Sequence, residues 1–80
     1  MIDTMTNERL TVTTFKLGGA YICLPLAQLG QVTAMLDVHK IPYWVDEESL
    51  SIDGKPEIIW INLMDGADPA KVQELLDSIP

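Results

Sequence analysis

The sequence predicts an α+β fold, a two-layer sandwich in which two helices cover one face of a mixed sheet of about four strands. Three observations support this prediction. Residues 57–64 are a dense run of β-branched and aromatic side chains, which is typical of a buried strand. Two segments carry apolar residues at helical spacing, and each of them follows a β-rich run. The predicted order of elements is therefore ββαββα.

Length and charge limit the class of protein. The chain has 80 residues, so we expect a single domain, residues 1–80, in which the polar residues 1–8 form a flexible tail. A hydrophobic content of 48% with 21% charged residues favours a folded chain over a disordered one. A net charge of −7 with five Lys and Arg residues argues against direct binding of nucleic acid or of an anionic membrane.

The first two predicted strands form a hairpin. Residues 9–17 contain three threonines among other β-formers, and residues 20–24 make the second strand. Gly18 and Gly19 separate the two strands, and glycine adopts the positive φ that a tight hairpin turn requires. Pro25 ends the second strand.

A helix over residues 26–39 follows, with one apolar stripe made of Leu26, Leu29, Val32, Thr33 and Leu36. Gly30 lies inside this helix and weakens it by about 1 kcal/mol relative to Ala. We expect that this glycine allows the helix to approach the sheet closely. Ile41 and Pro42 begin the third strand, which Asp46 closes. A strand–helix–strand unit predicts a right-handed crossover with strands two and three parallel.

The second half of the chain contains a long acidic connection, a strand and a helix. Residues 46–56 carry a turn signal at Asp53 and Gly54, and the alternation around Leu50 and Ile52 predicts a short extra strand before that turn. The strand at 57–64 is then expected to run antiparallel to strand three. The second helix has Asp68 as its N-cap, Pro69 at its first position, and an apolar stripe of Val72, Leu75, Leu76 and Ile79.

The other face of such a sheet is left open by the two helices. The strand at 57–64 is apolar on both faces, with Ile58, Trp60, Asn62 and Met64 on one and Ile59, Ile61 and Leu63 on the other. An exposed apolar patch usually marks an interface. The alternative is a strongly twisted sheet with the 46–56 arm folded across it. The candidate interface residues are Tyr43, Trp44, Ile58 and Trp60, with Asp46, Glu47 and Glu48 as a secondary acidic contact.

No catalytic, cofactor-binding or metal site is predicted. Cys23 is the only cysteine and precedes a helix, but it lacks a partner cysteine, so we expect a small buried core residue. His39 is the only histidine, so a helix-end or surface role is expected. The acidic residues 46–57 fail a calcium-loop template, because Leu50 fills a ligand position and Ser51 stands where glycine is required.

Residues 26–63 combine a helix, the sequence Ile-Pro-Tyr-Trp-Val-Asp, an acidic loop and a hydrophobic strand, and a capped helix follows. This order resembles small ferredoxin-like modules, in particular short prokaryotic proteins described as signal transducers. The resemblance covers about half of the chain and implies a ferredoxin-like variant, but it implies no site residues. The N-terminal Gly-Gly hairpin and the lack of a final strand depart from the ferredoxin-like pattern.

The sequence therefore predicts a small, acidic, non-enzymatic interaction module without a cofactor. It is expected to form a homodimer or to bind a protein partner through the open sheet face. A cytoplasmic location is expected, because neither a signal peptide nor an apolar run long enough for a membrane helix is recognised. Two alternatives stay open: a regulatory domain that binds a small ligand between helix and sheet, and an immunity-type or inhibitor protein that blocks a basic target.

Overall fold

Four strands and two α-helices make up the fold, and the α+β class is confirmed. The structure is a computed structural model and describes residues 1–79. In chain order the elements are β1 (Val12–Thr14), β2 (Ala20–Pro25), a 3₁₀ helix (Leu26–Gln28), α1 (Leu29–Val38), β3 (Tyr43–Val45), β4 (Ile58–Leu63) and α2 (Pro69–Asp77). Neither α-helix of residues 1–79 is long and apolar enough to cross a membrane.

The sheet has the strand order β1-β2-β4-β3, and each pair of neighbours is antiparallel. The prediction of a mixed sheet is therefore wrong. Strands β2 and β3 do run in the same direction, since both are antiparallel to β4. However, β4 lies between them and forms hydrogen bonds with both, so no parallel pair arises.

Alternate residues of the central strands build the core. Ile22 of β2 lies opposite Ile61 of β4 in the sheet register, and both side chains are 0% exposed. Because side chains alternate between the faces of a strand, every second residue of β2 and β4 shares this buried face. The buried members are Ala20, Ile22 and Leu24 of β2, Ile59, Ile61 and Leu63 of β4, Val32 and Leu36 of α1, and Val72 and Leu76 of α2. Both helices thus pack on the same face of the sheet.

The hairpin between β1 and β2 is looser than the sequence predicts. Strand β1 ends at Thr14, and the backbone N–H of Phe15 donates to the carbonyl of Gly19 at 3.0 Å, which closes a five-residue loop. Gly18 and Gly19 have φ values of 97° and 92°, so the predicted need for positive φ is confirmed. The predicted strand over residues 9–17 was too long.

The helices begin differently from each other. The first predicted helix starts as the 3₁₀ helix and becomes α1 at Leu29. Gly30 is exposed, and a Cβ atom placed there would meet no heavy atom within 4 Å, so the expected close approach to the sheet is wrong. In α2 the predicted cap is confirmed, because the side chain of Asp68 accepts a hydrogen bond from the N–H of Ala70 at 3.0 Å.

The long acidic connection forms a single bridge rather than the predicted extra strand. Leu50 and Ile58 exchange two backbone hydrogen bonds of 2.8 Å each. The chain then turns at Asp53 and Gly54, which have φ values of 52° and 74°, as the turn signal predicts.

Residues 1–10 lie against the domain. Met1 is 6% exposed and belongs to the core, and its carbonyl accepts a hydrogen bond from the N–H of Leu10 at 2.9 Å. The side chain of Gln28 donates to the carbonyl of Ile2 at 2.8 Å. The expectation of a flexible tail over residues 1–8 concerns motion and stays a prediction, but the burial of Met1 was not foreseen.

Candidate interaction surface

The face of the sheet opposite the helices carries exposed and half-buried side chains, and we call it the open face. One row crosses all four strands, because Thr13 is opposite Tyr21, Tyr21 is opposite Asn62, and Asn62 is opposite Trp44. The next row pairs Cys23 with Trp60, and Ile58 follows on β4. The open face therefore consists of Thr13, Tyr21, Cys23, Trp44, Ile58, Trp60 and Asn62.

Aromatic rings dominate the centre and the rim of the open face. Trp44 is 53% exposed and Trp60 is half-buried. Phe15, in the loop before β2, is 56% exposed and packs on Tyr21, with ring centroids 5.1 Å apart and the ring planes tilted by 36°. Trp44 and Phe15, with the exposed parts of Tyr21 and Trp60, give the open face an apolar area that the chain itself does not cover.

Part of this area is a depression, which we call the aromatic cup. It is shallow and is lined by Phe15, Tyr21, Asp46, Trp60 and Asn62. The cup is open to solvent. Three aromatic residues and one acidic residue thus share a single shallow surface.

Asp46 is fixed at the cup by two hydrogen bonds. Its backbone N–H donates to the carbonyl of Trp60 at 3.1 Å, which continues the pairing between β3 and β4 by one residue. Its carboxylate oxygen Oδ1 accepts a hydrogen bond from Nδ2 of Asn62 at 2.7 Å. The carboxylate therefore has a defined position relative to the aromatic rings.

The structure brings most of the predicted interface residues to this side of the sheet. Trp44, Ile58 and Trp60 lie on the open face, and Asp46 lines the cup. Glu47 and Glu48 are exposed on the connection directly after Asp46.

Tyr43 lies on the opposite, helix-covered face. It is opposite Leu63 in the register and packs against the core. Its hydroxyl donates to Oδ1 of Asp37 at 2.8 Å, and this hydrogen bond raises the pKa of Tyr43. Tyr43 and Trp44 are neighbours in a strand, so only one of them can reach the open face.

A second, smaller depression lies at the other end of the open face, where the chain partly covers the sheet. It has a volume of about 260 Å³ and is lined by Asp3, Met5, Thr6, Cys23, Leu50, Ile52, Lys55, Pro56 and Ile58. The acidic arm borders this end of the open face through Leu50 and Ile52. The aromatic cup stays uncovered.

Cys23 is half-buried on the open face, so the prediction of a core residue is wrong. It occupies the strand phase opposite to Ile22 and Leu24, which face the helices. Burial, and to a smaller extent the negative charge of Asp3, raises the pKa of the Cys23 thiol. The thiol is therefore kept protonated rather than activated as a nucleophile.

Sequence reasoning missed Phe15 and Tyr21 as members of this surface. Tyr21 lies between Ala20 and Ile22 in a strand, and side chains alternate between the two faces of a strand. This period of two was the signal that could have placed Tyr21 on the face opposite to Ala20 and Ile22. Phe15 had no comparable signal, because it was assigned to a strand and lies in the loop.

Residues 1–79 contain no group of three or more His, Cys, Asp or Glu side chains arranged to hold a metal ion. Comparisons of the chain with protein-family models, with curated proteins and with solved structures find no match. The functional argument therefore depends on the geometry of the open face.

Proposed function

We propose that the protein is a non-enzymatic interaction module that self-associates or binds a protein partner through the open face. The observation that carries this proposal is the aromatic surface of exposed Trp44 and Phe15 and half-buried Trp60 and Tyr21. Two of these rings are more than half exposed. Aromatic side chains are enriched at the centres of protein interfaces, where they contribute much of the binding energy.

The position of these rings supports a role other than folding. The core is already formed on the helix-covered face, where Ile22, Leu36, Ile61 and Leu76 are 0% exposed. On the opposite face Trp44 and Phe15 are more than half exposed, and Tyr21 and Trp60 are half-buried. A partner that covers them removes further apolar area from water and so gains free energy.

The same packing disfavours a ligand at the centre of the interface between helices and sheet, where Val32, Leu36, Val72 and Leu76 are 0% exposed. An inhibitor-type protein remains a special case of the proposal, in which the partner is a basic target. For the place of action we propose the cytoplasm, where a single half-buried thiol such as Cys23 stays reduced.

We also propose that the fold is a permuted variant of the ferredoxin-like βαββαβ arrangement. In support, α2 lies beside β1: the N–H of Val12 donates to Oε1 of Gln73 at 2.8 Å, and Nε2 of Gln73 donates to the carbonyl of Leu10 at 3.0 Å. If β1 followed α2 in the chain, the order would become βαββαβ without moving any element.

A circularly permuted chain tests this fold proposal. Residue 80 is joined to residue 1 through a short glycine linker, and the chain is opened in the loop between β1 and β2. We expect a far-UV circular dichroism spectrum and a cooperative unfolding transition like those of the parent chain. A permuted chain that stays unfolded would contradict the permuted ferredoxin-like topology.

The interaction proposal is tested with matched variants. Trp44→Thr and Trp60→Thr remove rings from the open face, whereas Val38→Thr changes a side chain on α1 that is 77% exposed. Light scattering over a concentration series measures the mass of each variant. In parallel, a photo-crosslinking amino acid is placed at position 44 or, as the control, at position 38. Each protein is irradiated in a lysate of the source organism, and the crosslinked products are compared.

We expect either a concentration-dependent dimer or one discrete crosslinked product from position 44. Trp60→Thr is expected to remove whichever of the two is observed, the dimer or the crosslinked product, and Val38→Thr is expected to leave it unchanged. Circular dichroism must show that each variant is folded. A chain that is monomeric at all concentrations and gives the same products from positions 44 and 38 would refute the proposal.

A further inference from the structure

The aromatic cup has the composition of a site for an organic cation. The rings of Phe15, Tyr21 and Trp60 line it together with the carboxylate of Asp46. A cation placed over an aromatic face is attracted by the ring quadrupole, and the attraction is strongest for indole. A carboxylate in the same depression adds a direct charge interaction, so an anion or a neutral apolar group makes poorer use of the cup.

We propose that the aromatic cup binds the guanidinium group of an arginine side chain from a partner protein. This inference deepens the proposed function, since it names the chemistry that the open face recognises. Guanidinium is planar, so it stacks on an aromatic ring and at the same time donates hydrogen bonds to a carboxylate. A quaternary ammonium group stacks equally well but has no hydrogen to donate to Asp46.

Asp46 is prepared to accept those hydrogen bonds. Asn62 holds Oδ1 at 2.7 Å. This contact orients the carboxylate before a ligand arrives, and a carboxylate has lone pairs for further donors. The exposed carboxylates of Glu47 and Glu48 follow directly, and the chain carries a net charge of −7. The surrounding field therefore favours the approach of a basic partner.

A second copy of the chain is a poor source of the arginine. Arg9 is the only arginine in the sequence, and its guanidinium lies 3.5 Å from the carboxylate of Asp77. Two copies also carry charges of the same sign. The charge complementarity thus selects a different, basic protein.

The test uses the full chain labelled with ¹⁵N and the capped peptide acetyl-Gly-Arg-Gly-amide, titrated in low salt. The matched peptide carries citrulline in place of arginine, which keeps the shape and removes the charge. The signals of the Trp60 indole N–H and of the Asn62 side-chain amide report on the cup. The protein variants are Asp46→Asn, and Glu74→Gln as the control for an exposed carboxylate on α2, away from the open face.

We expect the arginine peptide to shift the signals of Trp60 and Asn62, and to bind at least about tenfold more tightly than the citrulline peptide, as the loss of one charge-assisted hydrogen bond implies. Asp46→Asn weakens binding by a similar factor, and Glu74→Gln changes it by less than about twofold because an exposed charge far from the cup is screened by solvent.

Equal binding of the two peptides would overturn the inference, and so would shifts spread over all acidic surfaces. Failure of the cation site is distinguishable from failure of the interaction proposal. If Trp60→Thr removes the crosslinked product or the dimer and Asp46→Asn does not, the open face binds a partner without arginine recognition.

Discussion

Replacing Ile61 and Trp44 compares the two faces of the sheet in a single experiment. Ile61 is 0% exposed and lies opposite Ile22, whereas Trp44 is 53% exposed on the edge strand β3. Ile61→Val removes one methyl group from the core and is expected to lower the free energy of unfolding by about 0.5–1.5 kcal/mol, and Ile61→Ala by about 2–5 kcal/mol. Trp44→Thr removes a much larger side chain, yet it is expected to change stability by no more than about 0.5 kcal/mol.

The size of the domain makes this difference easy to measure. A chain of this length has a total stability of roughly 4–12 kcal/mol, so Ile61→Ala removes a large share of it. Urea unfolding followed by far-UV circular dichroism gives the free energy of unfolding for each variant. The order Ile61→Ala, Ile61→Val, Trp44→Thr is expected from the most to the least destabilised. If Trp44→Thr destabilised the chain as strongly as Ile61→Ala, the ring would be a structural residue and the assignment of the two faces would be refuted.

Three further predictions concern single positions. Gly30→Ala is expected to stabilise the chain by about 0.5–1 kcal/mol, because its Cβ atom meets nothing within 4 Å in a helix; a lower urea midpoint would contradict this. Asp68→Ala is expected to lower the free energy of unfolding by about 0.5–2 kcal/mol, because the hydrogen bond that caps the N–H of Ala70 is lost, and Asp68→Asn is expected to lower it much less. Equal losses of stability for the two variants in thermal unfolding would show that the cap is unimportant. Because the pKa of Cys23 is raised, the pH midpoint of its alkylation by iodoacetamide is expected to lie above that of a free cysteine, and Asp3→Asn is expected to lower it. A pH series of alkylation rates measures this midpoint. A Cys23 midpoint below the ordinary value would contradict the assignment.

The central strand was predictable because its signal is local. Strand β4 covers Ile58–Leu63, within the predicted residues 57–64, since a short run of β-branched and aromatic residues has few other stable conformations. The N-cap at Asp68 was predictable for the same reason: the capping bond joins residues that are two apart in the chain.

Features that depend on pairing across the sheet were not predictable in this way. Tyr43 and Trp44 are both aromatic, and the local sequence does not decide which of them faces the helices. That choice follows from the register with Leu63 and Asn62 of β4, and a slip of one residue would reverse it. The mixed sheet was predicted because strand β4 was not placed between β2 and β3.

Contacts distant in sequence explain the remaining errors. Met1 has no periodic pattern around it, yet its side chain joins a core formed by residues far along the chain. Gly30 was expected to mark a close approach, but whether a neighbour lies near its Cα depends on the path of the other elements. The aromatic cup combines a loop residue, Phe15, with residues of β2 and β4 and with Asp46 just after β3, so no single segment of the sequence contains it.

The charge and the open face together constrain the partner more than either does alone. An apolar surface by itself favours any apolar partner, including a second copy of the chain, because burial of apolar area is not directional. A charge of −7 opposes association between copies and favours association with a basic surface. Asp46 connects the two effects, since it places a carboxylate beside Trp60 inside the apolar surface. A partner that covers the rings must therefore either bring a cation to Asp46 or bury that carboxylate without a counter-charge, which costs several kcal/mol.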